Sequence, residues 1–60
     1  MEDLTERVRE ALKNAKDNGY DQSGLSPGEV AIDLMEYDAS FQHETFTEVA
    51  AAVHIIRMNG

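Results

Sequence analysis

An all-α fold, a compact three-helix arrangement with short loops, is predicted by three observations on this sequence. Apolar residues recur with the 3.6-residue period of an α-helix in three separate segments. The second and third of these segments open with a helix-capping signature, and the first ends in Asn-Gly. The chain has only 60 residues, so we expect a single helical domain over residues 1–60.

The first helix is predicted over residues 3–18. Its apolar positions have a 4-3-1-3 spacing, which places them on one face of a helix: Leu4, Val8, Ala11, Leu12 and Ala15. On its outer face, Asp3 and Arg7 have the i,i+4 spacing of an ion pair. Lys16 suits the negative end of the helix dipole, and Gly19 after Asn18 supplies a left-handed stop.

The second helix is predicted over residues 27–38, after a loop in which Tyr20 and Leu25 fold inward. Ser26 is the expected N-cap, Pro27 occupies the first helical position, and Glu29 completes a capping box. The residues expected to face the core are Val30, Leu34 and Tyr37, with Ala31 and Met35 beside them.

The third helix is predicted over residues 46–58, with Thr45 as its N-cap and Glu48 as the capping-box acid. Phe41, in the loop before it, is expected to fill the space between helices. The main apolar stripe of this helix is Phe46, Val49, Ala50, Val53 and Ile56. A second apolar group lies on a different side and consists of Ala51, Ile55 and Met58. A helix that is apolar on two sides is central or pairs with another chain, so these three residues predict a homodimer.

Negative charge is concentrated after the first helix. Residues 1–19 carry five acids and four bases, whereas residues 20–60 carry seven acids and one base, Arg57, within a total net charge of -7. The acidic residues expected to contact a protein partner with a basic surface are Glu29, Asp33, Glu36, Asp38, Glu44 and Glu48. The alternative is that this surface only keeps the protein soluble. Direct nucleic-acid binding is not expected, because phosphate is bound by clustered Lys and Arg, which the third helix lacks even if it is compared with a helix-turn-helix recognition helix.

Motifs for catalysis or for cofactor binding are incomplete. His43-Glu44 begins a helical zinc motif, but Thr47 stands where the second histidine belongs, and the sequence has no cysteine. A calcium loop ending at Glu29 would need ligands at Tyr20 and Gln22 and a glycine at Ser23. We therefore expect no enzyme activity, no cofactor and no metal. Neither a secretory signal nor an apolar run long enough to cross a bilayer is visible, which predicts a cytoplasmic protein without membrane contact.

Two segments carry a resemblance to known proteins. They are the stretch from Leu25 to Asp38, LSPGEVAIDLMEYD, and the stretch from Phe46 to Val53, FTEVAAAV, with Ile55-Ile56-Arg57 after it. Together they resemble the small acidic helical accessory proteins encoded by bacteriophages and other mobile elements. The resemblance implies a module that binds and inhibits or redirects a host protein, in some cases by presenting negative charge where nucleic acid would bind. Two alternatives remain: a homodimeric assembly protein, and a helical adaptor that captures an apolar peptide.

Overall fold

Three α-helices and one short 3₁₀ helix make up the computed structural model, which describes residues 3–59. Helix α1 spans Leu4–Asp17, α2 spans Pro27–Tyr37 and α3 spans Phe46–Asn59, and the 3₁₀ helix covers Ala39–Phe41. No strand occurs within residues 3–59. The predicted all-α three-helix arrangement is confirmed, and each predicted helix boundary lies within one residue of the observed one.

The helix ends are fixed by the residues that the sequence pattern indicated. At the start of α2, the Ser26 hydroxyl accepts from the Glu29 amide at 3.2 Å, and the Glu29 carboxylate accepts from the Ser26 amide at 3.1 Å, so the capping box is complete. At the start of α3, the Thr45 hydroxyl accepts from the Glu48 amide at 3.2 Å. There the Glu48 carboxylate accepts from the Thr45 hydroxyl at 3.1 Å and not from the Thr45 amide, so the predicted capping box is only half formed.

Helix α1 ends in a Schellman motif. Gly19 has a φ of 96°, its amide bonds to the Lys16 carbonyl at 3.0 Å, and the Tyr20 amide bonds to the Ala15 carbonyl at 2.9 Å. This confirms the left-handed stop after Asn18. The motif turns the chain sharply, so that Tyr20 returns toward the helices and is half-buried.

Helix α3 is the central element, because it packs against both α1 and α2. Phe41 is only 1% exposed, which confirms that it fills the space between the helices. No polar side chain is buried among the described residues. The buried residues of the core come from all three helices and the 3₁₀ helix: Val8, Leu12, Val30, Ala31, Leu34, Phe41, Val49, Ala52 and Val53.

Two residues expected in the core are instead exposed at the surface. Tyr37 is 85% exposed, so its placement in the apolar stripe of α2 was wrong, and Phe46 is 46% exposed. Tyr37 ends α2 at the edge of the stripe, and Phe46 begins α3 with its ring over Gly28 and its other side open. Ala52, which the predicted stripe of α3 omitted, is buried. A small side chain fits where α3 lies against its neighbours, and periodicity alone does not reveal where that contact falls.

Candidate functional site

The outward face of α2 carries two exposed carboxylates. Glu29, Ile32 and Glu36 lie within about 60° of one another around the helix axis, on the side opposite the buried Val30 and Leu34. Ile32 is 50% exposed, so this face presents an apolar side chain between two acids. We call these three residues the acidic face.

Asp33 lies beside the acidic face and contacts the loop after α1. Its Oδ2 accepts a hydrogen bond of 2.6 Å from the Tyr20 hydroxyl. Partial burial, this hydrogen bond and the negative charge of Asp33 together raise the pKa of Tyr20 to about 12, because each of them disfavours the phenolate. The neutral hydroxyl is thus held as a donor, and Asp33 fixes the loop against α2.

The other three acids predicted to contact a partner also have bonds within the chain. Asp38 caps the 3₁₀ helix, where its Oδ1 accepts from the Ser40 amide at 3.0 Å and from the Ser40 hydroxyl at 2.7 Å. The Glu44 carboxylate lies 3.7 Å from the Arg7 guanidinium. Glu48 is bonded to Thr45, as described above. Within residues 3–59, Glu36 is therefore the one member of the predicted set without a hydrogen bond or ion pair in the chain.

Positive charge does not neutralise the acidic face. Among the described residues the ion pairs are Arg7 with Glu44 and Arg9 with Glu6. Arg57, the single base after residue 19, donates to the backbone and side-chain oxygens of Gln22 at 3.4 and 3.3 Å. Glu29 and Glu36 thus keep their charge available to another molecule.

Two open grooves flank the loop after α1. The first, of about 570 Å³, is bordered by the loop and by Leu12, Lys16 and Arg57. The second, of about 540 Å³, lies on the other side of Tyr20, between the end of α1 and the end of α2. Its walls include Tyr20, Asp33 and the exposed Tyr37. We call this second groove the tyrosine groove. Sequence reasoning missed it, although Asp33 and Tyr37 stand one turn apart on α2, because the approach of Tyr20 depends on the path of the loop.

The second apolar group of α3 lies at the surface. Ile55 is 43% and Met58 72% exposed, and Ala51 is exposed as well. Thr47 and His54 are exposed beside them, so that Thr47, Ala51, His54 and Met58 form a stripe with 4-3-4 spacing. We call Ala51, Ile55 and Met58 the α3 patch. Within residues 3–59 the three side chains of this patch remain exposed, and the homodimer stays a prediction.

Other chemistry is limited by where the potential ligands lie. In residues 3–59 no three His, Asp or Glu side chains come close enough together to hold a metal ion, and His43 and His54 are both exposed. None of the helices in this range has the length and apolar character needed to cross a membrane.

Comparison of the chain with protein-family models, curated proteins and solved structures gave no match.

Proposed function

We propose that this chain is a small acidic protein-binding module that docks on a basic surface of another protein. The observation that supports this most is the acidic face, where Glu29 and Glu36 flank the exposed Ile32 and have no cation beside them in the described part of the chain. Asp33, Asp38, Glu44 and Glu48 extend the negative potential around this face. A partner with clustered Lys and Arg would gain attraction over several ångströms before contact.

The fixed position of Glu29 favours binding over mere solubility. Its carboxylate is bonded to the Ser26 amide, so the side chain loses little freedom when a cation approaches. Ile32 offers an apolar contact on the same face. An exposed apolar side chain next to several acids resembles the composition of a protein interface more than that of a uniformly solvated surface.

Inhibition or redirection of the partner follows if its basic surface normally binds nucleic acid. Carboxylates that occupy the phosphate sites of such a surface compete with the nucleic acid for the same Lys and Arg side chains. The module would then act by occupying the site, without chemistry of its own.

Removal of the two exposed charges of the acidic face tests this function. The double variant Glu29→Gln/Glu36→Gln keeps the capping box, because glutamine can replace glutamate there. The matched control is Glu10→Gln/Asp17→Asn, which removes two exposed charges from α1. Each chain is immobilised on a resin. The resin is then incubated with a lysate of the organism that carries this gene, with and without competing duplex DNA. We expect the unmodified chain and the control to retain nucleic-acid-binding proteins that DNA displaces, and the α2 variant to lose them. Equal retention by both variants would contradict the proposal.

A homodimeric structural or assembly protein is the second candidate, and the exposed α3 patch favours it. Ile55 and Met58 are large apolar residues at the surface of the central helix, and the small Ala51, one turn before Ile55, allows two helices to approach closely. In this case the acids only keep the dimer soluble. The two candidates differ in their dependence on salt, because attraction to a basic partner weakens as salt rises and association of like-charged chains does not.

A further inference from the structure

The tyrosine groove has the chemistry of a site for a cationic side chain. Two aromatic residues, Tyr20 and Tyr37, line it together with Asp33, whose carboxylate accepts the hydrogen bond from the Tyr20 hydroxyl. Only one oxygen of Asp33, Oδ2, is bonded to Tyr20, which leaves Oδ1 free to accept. Tyr37 is 85% exposed, so its ring is accessible to a ligand.

We infer that this groove binds the guanidinium group of an arginine side chain, presented by the basic partner of the acidic face. This inference rests on the proposed function, which it deepens by naming an anchor residue on the partner. The guanidinium would stack on the Tyr37 ring and donate to Oδ1 of Asp33. Leu34 and Ala15 in the lining would contact the aliphatic stem of the arginine.

The charges around the groove favour a cation. Asp33 has no ion pair with any base in residues 3–59. Arg57 approaches Tyr20 but lines the other groove, where it is bonded to Gln22.

Arginine fits this lining better than lysine does. A guanidinium is planar and weakly hydrated, so it stacks on an aromatic ring while it donates sideways to a carboxylate. A lysine ammonium is a compact, strongly hydrated charge that would lose more hydration in a partly apolar groove. The amide oxygen of Asn18, also in the lining, can accept a second bond from a guanidinium.

Titration with small blocked amino acids tests the site without the partner. The probes are N-acetyl-arginine methylamide, the corresponding lysine compound and the uncharged citrulline compound. Backbone amide signals of the full chain are followed by nuclear magnetic resonance. We expect saturable shifts centred on Asn18, Gly19, Asp33 and Tyr37 with the arginine compound, weaker shifts with lysine and none with citrulline. Absence of saturation, shifts centred elsewhere, or lysine binding as tight as arginine binding would overturn the assignment.

Variants separate the groove from general attraction to an acidic protein. We expect Asp33→Asn, which keeps an acceptor for Tyr20, to weaken arginine binding by roughly five- to tenfold. Tyr37→Ala should weaken it by roughly two- to fivefold, whereas Tyr37→Phe keeps the ring and the affinity. Asp17→Asn removes the same charge from an exposed site on α1 and should have little effect. Equal effects of Asp33→Asn and Asp17→Asn would overturn the proposal.

The proposal for the tyrosine groove and the proposed function of the acidic face can be contradicted independently of one another. Glu29→Gln/Glu36→Gln should leave binding of the arginine compound nearly unchanged while it abolishes capture of basic partners. If the arginine compound does not bind while capture still depends on Glu29 and Glu36, the groove proposal is wrong and the proposed function stands. If the arginine compound binds and capture is unaffected in that variant, the groove stands and docking through the acidic face is wrong.

Discussion

The Arg7 guanidinium lies 5.2 Å from the centre of the Phe41 ring. The same side chain donates to the Ser40 carbonyl at 2.7 Å and lies 3.7 Å from the Glu44 carboxylate. The i,i+4 pair predicted between Arg7 and Asp3 is not among the ion pairs of the described residues; Asp3 instead caps α1 by accepting from the Glu6 amide. Through these contacts Arg7 holds α1 against the segment between α2 and α3, whose apolar residues have no helical periodicity.

Loss of the Arg7 contacts should destabilise the fold. We expect Arg7→Ala to lower the free energy of unfolding by about 1–2 kcal/mol, because a cation-π contact and a charged hydrogen bond disappear together. Arginine and alanine have similar helix propensities, so the helix itself is little affected. Urea unfolding followed by far-ultraviolet circular dichroism measures the change. The control is Arg9→Ala, which removes only the exposed pair with Glu6 and should cost a few tenths of a kcal/mol. Equal losses in the two variants would show that the Phe41 and Ser40 contacts contribute nothing.

Gly28 and Gly24 should respond to alanine with opposite signs. A Cβ at Gly28 would lie 3.3 Å from Cζ of Phe46, whose ring is open on one side and can shift by a few tenths of an ångström. Gly28→Ala should therefore stabilise the protein by up to ~0.5–1 kcal/mol, through the lower entropy of the unfolded chain. Gly24 has a φ of 85° and nothing within 4 Å of its added Cβ, so Gly24→Ala should destabilise it by ~1 kcal/mol through backbone strain alone. Thermal unfolding of both variants decides the matter: a lower melting temperature for Gly28→Ala would mean that Phe46 is fixed in place.

The helix boundaries could be predicted because their signals are local. Ser26 and Thr45 bond to amides three residues ahead, and Gly19 needs only its own backbone conformation, so a single short window contains the whole cause. The exposure of Tyr37 and the burial of Ala52 could not be predicted in this way, because both depend on where a second helix crosses. Periodicity fixes the direction of a side chain around its own axis and not the position of its neighbours.

The candidate site could likewise be predicted only where its cause is local in the sequence. The acidic face follows from the spacing of Glu29 and Glu36 on one helix, which the sequence displays directly. The structural contact of Asp33 was not foreseen, since Tyr20 is 13 positions away and reaches Asp33 only after the chain has turned at Gly19. For the same reason the tyrosine groove, which needs that turn, has no sequence signature.

Titration of Tyr20 should report its contact with Asp33. The pKa of Tyr20 in the folded chain is raised from 10.0 to about 12. Because the folded pKa is the higher one, the contact contributes its full stability below pH 10 and loses it as the pH rises from 10 to about 12. The measurement uses the Tyr37→Phe variant, in which Tyr20 is the one remaining tyrosine, and follows tyrosinate absorbance together with circular dichroism.

Replacement of Asp33 by alanine should lower the midpoint of the Tyr20 titration. The variant loses both the hydrogen bond and the negative charge, while partial burial of Tyr20 remains, so the midpoint should fall toward 10 without reaching it. Asp17→Asn, with the same change in net charge, is the control and should leave the midpoint near its original value. A midpoint that is identical in all three proteins while the helices remain folded would show that Asp33 does not bond to Tyr20.

Self-association through the α3 patch is the remaining prediction, and the sign of its dependence on salt can be predicted. Each chain carries a net charge of -7, so two copies repel one another at low ionic strength. Screening should therefore strengthen a dimer held by Ala51, Ile55 and Met58, whereas docking on a basic partner weakens under the same conditions. Sedimentation equilibrium over a wide concentration range, at low and at moderate salt, measures the association.

Ile55→Glu should abolish the dimer and preserve helicity, because Ile55 is already 43% exposed and is not part of the buried core. Ile32→Glu is the matched control: it places the same charge at a residue of similar exposure on α2 and should reduce the association far less, through added repulsion alone. A single species of 6.7 kDa at high concentration and moderate salt would exclude the dimer, and equal loss of association in the two variants would place the contact outside the α3 patch.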